Sequence, residues 1–337
     1  MSASLFHKEG ALEKANRLFD SGHVLQAIQL LTEQNRQTAS AEIEKRLVEM
    51  RHQGFFLIAH PPGPNDWPPE LVSSPYPAGT IPAVSRRELS TQTLKDGIIG
   101  HGALIVRQLL TPAQVFRMVD TIDSAILAYD TGPDDAHLDE QQAWYSPLQP
   151  CPANGPQKIA RKWVRDGGGV LAADSPRAVF NLTEILGQVG ILPVIGEYLG
   201  GQPALSVKKT TLRRVPVHSN SGWHQDGAFL GHDIRTVNLW IALSDCGVDA
   251  PSMDMVPKRL DGIVPTGTGQ ASFNWSLDDL TVLTVAGDTP PVRLEFKAGD
   301  AILFDERNLH RTAVDPGMNR DRHAIEAWFF APSHYPL

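Results

Sequence analysis

Cysteine is almost missing from this chain: Cys151 and Cys246 are the only two in 337 residues. That excludes a disulfide framework and any zinc site built from several thiolates, and it fits a reducing compartment, so both are read as buried free thiols. Long apolar runs are missing too; none approaches the roughly 20 residues that a membrane span requires. Positive charge is in short supply, with 30 basic against 38 acidic residues and a net charge of −8. Nucleic acids and anionic membranes are held by clustered Lys and Arg, so neither is expected as a partner, and a small molecule is the expected substrate. Met1 to Gly10 has no apolar signal-peptide core, which makes the cytoplasm the expected location. The triplet Gly167-Gly168-Gly169 is not followed by Lys-Ser or Lys-Thr, so it is no phosphate loop; it reads as a flexible loop over a site.

What is present is an ordinary globular composition, 42% apolar and 20% charged, in an uneven order. Residues 1–53 read as a helical extension. Leu12, Ala15, Leu18 and Phe19 recur at helical spacing, Gly22 breaks the run, and Val24, Ala27, Ile28 and Leu31 resume it. The pair looks like a tetratricopeptide-type hairpin, which cannot bury its own apolar face. It therefore packs on the rest of the chain or offers a homodimer or partner surface. A third helix is expected from Ala41 to His52. Residues 54–93 are rich in proline and read as a linker or wrap.

Residues 94–337 form the main domain. A short strand at Gly102 to Val106 is followed by a helix signalled by Thr111 as N-cap and Pro112 at its first position. Residues 130 to 178 read as polar loop, and Ala178 to Leu199 as a helix pair. From Ala204 the chain reads as strands: Val207–Val217, Thr236–Leu243, Val282–Val285, Val292–Phe296, Ala301–Phe304 and His323–Phe330. Many short strands after a run of helices predict a mainly β fold with flanking helices, a jelly roll rather than a doubly wound sheet.

The chemistry centres on Trp223-His224-Gln225-Asp226-Gly227. On extended backbone, residues i and i+2 leave the same face, so His224 and Asp226 can point at one spot. Two histidines and one carboxylate with open positions are the usual Fe(II) oxygenase triad. The third ligand must come from a distant strand, and His310, just after Ala301–Phe304, is the candidate. Arg322, at the mouth of the last strand, suits a bidentate clamp on the far carboxylate of a dicarboxylic co-substrate. Thr312 shares a face with His310, and Trp240 offers an apolar wall. Phe229, His232 and Arg213 are candidates for the substrate side.

These residues resemble the phytanoyl-CoA dioxygenase family over roughly Leu94 to Pro332, on the strength of Trp223–Gly227, Leu239-Trp240-Ile241-Ala242-Leu243-Ser244-Asp245, Asp249-Ala250-Pro251, His310 and Arg322 ahead of His323-Ala324-Ile325. The resemblance implies a double-stranded β-helix core of cupin-like type. It implies Fe(II) held by His224, Asp226 and His310, with 2-oxoglutarate and O2 as co-substrates and no side-chain catalyst beyond the ligands. It assigns the distal carboxylate of 2-oxoglutarate to Arg322, with Thr312 and Trp240 as neighbours. Arg320 competes with Arg322 for that role. Lys162 and Lys208 both remain open as an assisting basic residue. Related halogenases lack the carboxylate ligand, so Asp226 implies hydroxylation or another oxidation, with release of succinate and CO2. Two other classes are to be weighed against this: a cupin-like metal enzyme that does not use 2-oxoglutarate, and a non-catalytic binding protein on the same fold. Loops at Asp130 to Pro176 and Met253 to Asn274 are expected to select the substrate.

Overall fold

The architecture is that of a computed structural model describing residues 10–63, 66–71, 73–132, 138–149, 159–219, 222–231, 233–271 and 273–335. Cys151 and His232 lie outside the described residues. Three helices come first: α1 (Ala11–Asp20), α2 (Val24–Gln37) and α3 (Ala41–Leu57). They enclose a small core of Ala15, Phe19, Val24, Ala27, Leu31, Leu47 and Met50. The third helix, capped at its start by Ser40, runs past His52 and through Gly54 to absorb Phe55, Phe56 and Leu57; Gly54 is tolerated because it packs against α2, where a Cβ would lie 2.7 Å from Val24 Cγ1. After β1 (Ala83–Ser85) come α4 (Thr91–His101), β2 (Ala103–Arg107) and α5 (Pro112–Thr131). Thr111 caps α5 in a capping box with Gln114, with Pro112 at its first position, as its sequence predicts.

The stretch expected to be loop from 130 to 178 carries real elements: α6 (Leu138–Trp144), α7 (Arg161–Asp166) and β3 (Gly169–Leu171). The glycine triplet is not a lid. Gly168 has φ +79°, and a Cβ there would lie 2.6 Å from the Arg214 carbonyl oxygen. It is a tight turn laid against a strand, at a position only glycine fits easily. Next come α8 (Pro176–Val189) and α9 (Ile191–Leu199), the expected pair, then β4 (Ala204–Leu205), β5 (Thr211–Val215), α10 (Gly227–Leu230), β6 (Thr236–Ala242) and β7 (Ser252–Arg259). The expected strand at Val282–Val285 is instead a helix, α11 (Asp279–Ala286). The Asp278 side chain accepts from the Thr281 N–H at 2.7 Å, and Val282 and Ala286 bury one helical face. Capping and packing override the β preference of a Val- and Thr-rich run. The chain ends with β8 (Val292–Arg293), β9 (Ala301–Phe304), β10 (Asn308–Ala313) and β11 (Arg322–Phe330).

Two sheets make the jelly roll. The larger has the order β1-β2-β9-β6-β11-β5-β3, with β4 also paired to β11; the smaller has the order β10-β7-β8. Alternation along β11 separates two environments. Ile325, Ala327 and Phe329 face outward into the core shared with α4, α5, α8 and α9. Ala324 faces inward, packed with Trp240, Ile302 and Phe304 of the larger sheet and Met253 and Met255 of the smaller. The interior between the sheets is where the candidate ligands converge. Among the described residues, no single helix is long and apolar enough to cross a membrane.

Candidate metal centre

The segment from Gly222 to Gln225 is held extended against two partners, and Asp226 already has helical backbone, φ −63° and ψ −28°. Trp223 bridges to Leu277, and His224 bridges to His310. The alternation expected from the sequence follows. Trp223 turns outward into a cluster with Val256, Leu277 and Leu309, its indole N–H donating to Asp279 Oδ1 at 2.9 Å. Gln225 also turns away from the site and is fully buried. Its amide donates to the carbonyls of Gly262 (3.0 Å) and Arg307 (2.8 Å) and accepts from the Val264 N–H at 2.7 Å. His224 and Asp226 are left facing inward. Chain direction then changes at once, because α10 begins at Gly227, whose N–H is held by the Glu306 carbonyl at 2.9 Å. A Cβ at Gly227 would lie 2.5 Å from Ile263 Cδ1, so a larger residue there would push the Ile263 side chain aside.

His310 arrives from β10, in register with Met255 of β7. Ligand atoms of His224, Asp226 and His310 all lie within 4.8 Å of one another. His224 Nε2 is 3.6 Å from Asp226 Oδ1, and His310 Nε2 is 3.8 Å from Asp226 Oδ2. The imidazole Nδ1 atoms sit against backbone carbonyls, His224 on Gly222 at 2.8 Å and His310 on Asn308 at 3.3 Å. An Nδ1–H donated to a carbonyl fixes the tautomer that leaves the Nε2 lone pair free for a cation. Burial holds both imidazoles below their usual pKa, His310 further because His224 is beside it. Both are therefore neutral, as ligands must be. Burial, then the nearby Glu326 charge, pushes the Asp226 carboxyl well above its ordinary range, and its Oδ2 is buried without a hydrogen-bond partner. Two aimed lone pairs and an orphaned buried carboxylate oxygen are what a divalent cation would satisfy, so the residues fit Fe(II).

Arg322 is buried in the same interior. Its guanidinium lies 5.2 Å from the Trp240 ring centre, Nη1 donates to the Ser252 carbonyl at 3.0 Å, and Nε has no partner. Thr312 is two residues beyond His310 on β10, opposite Met253. Arg320 is elsewhere: it is exposed and closes a two-point ion pair with Asp249 at 2.6 and 2.9 Å. Lys162 is also away from the site, exposed on α7 and paired with Asp166 at 2.9 Å. Lys208 is part-buried, its charge felt by His52 of α3 rather than by the metal centre.

The basic residue that does reach the site is Lys209, which the sequence reading passed over in favour of its neighbour. Its Nζ lies 4.7 Å from the Phe229 ring centre, and its charge acts on Asp226. Glu326 was also missed. It pairs with Arg213 at 2.7 Å and accepts from Thr211 Oγ1 at 2.8 Å. Its position four residues from Arg322 on one strand was the available signal. Phe229 is where expected, its ring 6.0 Å from that of His224. Trp275, unsuspected from sequence, packs edge-on to His224 at 5.4 Å and stacks on Phe273 at 4.8 Å.

The sequence model of the family described as phytanoyl-CoA dioxygenase (PhyH) matches residues 100–314, a span that holds His224, Asp226, Trp240, His310 and Thr312 but stops short of Arg322. Similar solved structures include the non-heme alpha ketoglutarate dependent carbocyclase SnoK from nogalamycin biosynthesis, at 15% identity over 74% of this chain and 86% of that one, with a TM-score of 0.46. AviO1 from Streptomyces viridochromogenes Tue57 matches at 18% identity over 70% of this chain and 92% of that one, with a TM-score of 0.43. No curated protein sequence matches significantly. With well over half of its length matched, the chain belongs to the phytanoyl-CoA dioxygenase family of non-haem Fe(II)- and 2-oxoglutarate-dependent oxygenases.

Proposed function

We propose that this protein hydroxylates a small organic molecule, with 2-oxoglutarate converted to succinate and CO2, and that His224, Asp226 and His310 hold the iron. The observation that carries the reading is Arg322: a buried arginine inside the sheet sandwich, stacked on Trp240, forming no ion pair among the described residues and with its Nε unpartnered. A buried charge is costly unless it is paired. The distal carboxylate of 2-oxoglutarate is the missing partner, and Trp240, Met253 and Phe304 offer its carbon chain apolar neighbours. This favours the oxygenase over a cupin-like enzyme that does without 2-oxoglutarate, which would have no use for that arginine.

O2 would be the oxidant; Fe(II), when bound, would supply the means to activate it, and 2-oxoglutarate would supply two of the electrons as it becomes succinate and CO2. The chain does the rest. Carbonyls at Gly222 and Asn308 hold both imidazoles in the ligating tautomer. Arg322 orients the co-substrate, and the packed interior excludes water. Phe229, Phe273 and Trp275 present an aromatic rim beside His224, and the Arg213–Glu326 pair and Lys209 line the polar side. That combination suits a substrate with an apolar body and a polar group. The direct test is to follow succinate release and oxygen uptake with Fe(II) and 2-oxoglutarate while varying candidate substrates. Oxygen uptake with no succinate formed would sink the reading.

A further inference from the structure

A cavity of about 1160 Å³ lies between the N-terminal helices and the main domain. Its walls are apolar, with Val24 and Ile28 of α2, Phe55 of α3, Leu186 and Leu192 of the α8–α9 pair, and Phe329 of β11. Phe329 belongs to the outward face of β11, whereas Arg322 and Ala324 belong to the inward one, so the larger sheet stands between this cavity and the metal centre. A volume of this size is ample for a ligand with a long apolar body.

One cation enters these apolar walls. Arg51 is the only Lys or Arg among the described residues lining the cavity. Its Nη1 is buried without any hydrogen-bond partner, and Nη2 has only a long contact of 3.4 Å with Thr32 Oγ1. Among the described residues no carboxylate pairs with it. Glu184, whose charge Arg51 feels, is committed to Arg36 by two bonds of 2.7 and 2.8 Å. Glu197, the acidic group on the lining, accepts from Thr91 at 2.6 Å. Burial pushes the Arg51 pKa down to about 10, which still leaves it charged at neutral pH.

We propose that this cavity is a second ligand site, separate from the metal centre, that takes a long-chain carboxylate with its head group on Arg51 and its chain among Ile28, Phe55, Leu192 and Phe329. A single unpaired guanidinium matches a monoanion in charge, and its planar nitrogens match a carboxylate in shape. Because α2, α3, α8 and α9 all contribute, occupancy would tie the N-terminal helices to the oxygenase domain and raise thermal stability.

The test uses the full chain with dodecanoate and, as the uncharged control, 1-dodecanol, both below micelle-forming concentrations, with binding read by calorimetry. The expected result is one dodecanoate per chain, bound at least tenfold more tightly than dodecanol. Arg51→Met should bring dodecanoate down to the dodecanol level. Leu192→Trp, which puts an indole into the cavity, should remove both, and Asp226→Ala should change neither. Equal binding of acid and alcohol by the unmodified chain would overturn the proposal, as would loss of dodecanoate binding in Asp226→Ala, which would place the ligand at the metal centre. The acid–alcohol comparison on the unmodified chain decides the matter even where Arg51→Met does not fold.

Discussion

His224 and His310 face each other as a bridged pair, exchanging backbone hydrogen bonds of 2.9 and 3.0 Å in both directions, with their rings 4.4 Å apart. Two candidate ligands 86 positions apart in the chain are thus set by backbone, not by their side chains. His310→Ala should therefore remove a ligand while leaving the bridge in place. Fe(II) affinity is expected to fall by at least about 100-fold, more than loss of an outer-shell partner costs, while the unfolding midpoint of the metal-free protein stays nearly unchanged. Metal titration and thermal unfolding of the same sample check both halves. A collapse of the fold would mean that the ring, not the bridge, holds the strands.

Arg322 and Arg320 separate cleanly. Truncating a buried charge that holds a ligand costs roughly 2–5 kcal/mol, so Arg322→Leu should raise KM for 2-oxoglutarate by about 30-fold or more. Arg320→Leu breaks an exposed ion pair with Asp249, and such pairs contribute about 0–1 kcal/mol, so KM should move less than about twofold. Steady-state kinetics with 2-oxoglutarate as the varied substrate distinguishes them. Equal effects would remove Arg322 from its assigned role.

The parts of the site legible in the sequence were those governed by local geometry. His224 and Asp226 share a face because strand alternation is a rule of covalent structure, and Arg322 was marked by its place at the mouth of a strongly patterned strand. Lys209 was not legible, because residues 207–209 form a turn just before β5 and alternation assigns no face in a turn. Lys208 and Lys209 were therefore equivalent on paper. Trp275 reaches His224 only because the loop before α11 folds back over the site, a long-range event with no local signal. Glu326 is different: its parity with Arg322 was readable. The helix at Asp279–Ala286 was misread because its residues favour strands, while its start is decided by Asp278.

Glu306 ties the turn between β9 and β10 to Thr236, whose hydroxyl donates to it at 2.9 Å. Burial, and then the charge of Asp305, pushes its pKa from 4.5 up to about 7. A carboxyl whose folded pKa is raised stabilises the fold below its unfolded pKa and loses that contribution as pH rises through the folded value. Stability should therefore decline between about pH 4.5 and pH 7, by up to about 3 kcal/mol at 1.36 kcal/mol per unit. Glu306→Gln keeps an acceptor for Thr236 and cannot ionise. Urea unfolding of both proteins across that window should show the decline in the unmodified chain and a flatter profile in the variant; parallel profiles would rule out Glu306 as its source.

Gln225 turns away from the candidate metal centre, yet it anchors the segment that carries the candidate ligands. Its amide closes three bonds to two separate loops, at Gly262, Val264 and Arg307, directly between the ligands His224 and Asp226. Gln225→Leu fills the same volume but leaves two carbonyls and one N–H without partners. A buried unsatisfied group costs about 1–3 kcal/mol, and partial relaxation toward water lowers the sum, so a loss of about 3 kcal/mol in unfolding free energy is expected. The loop at 261–264 also carries Ile263, which packs against Gly227, so its release would loosen the turn that aims Asp226. Fe(II) affinity should fall with stability, by about tenfold, although no ligand has been touched. Gln225→Glu retains the acceptor for Val264 but sets a buried carboxyl against the Gly262 and Arg307 carbonyls, so it should lose at least as much as Gln225→Leu. If Gln225→Leu lost stability but bound Fe(II) as before, Asp226 would be held by its own strand and α10 alone.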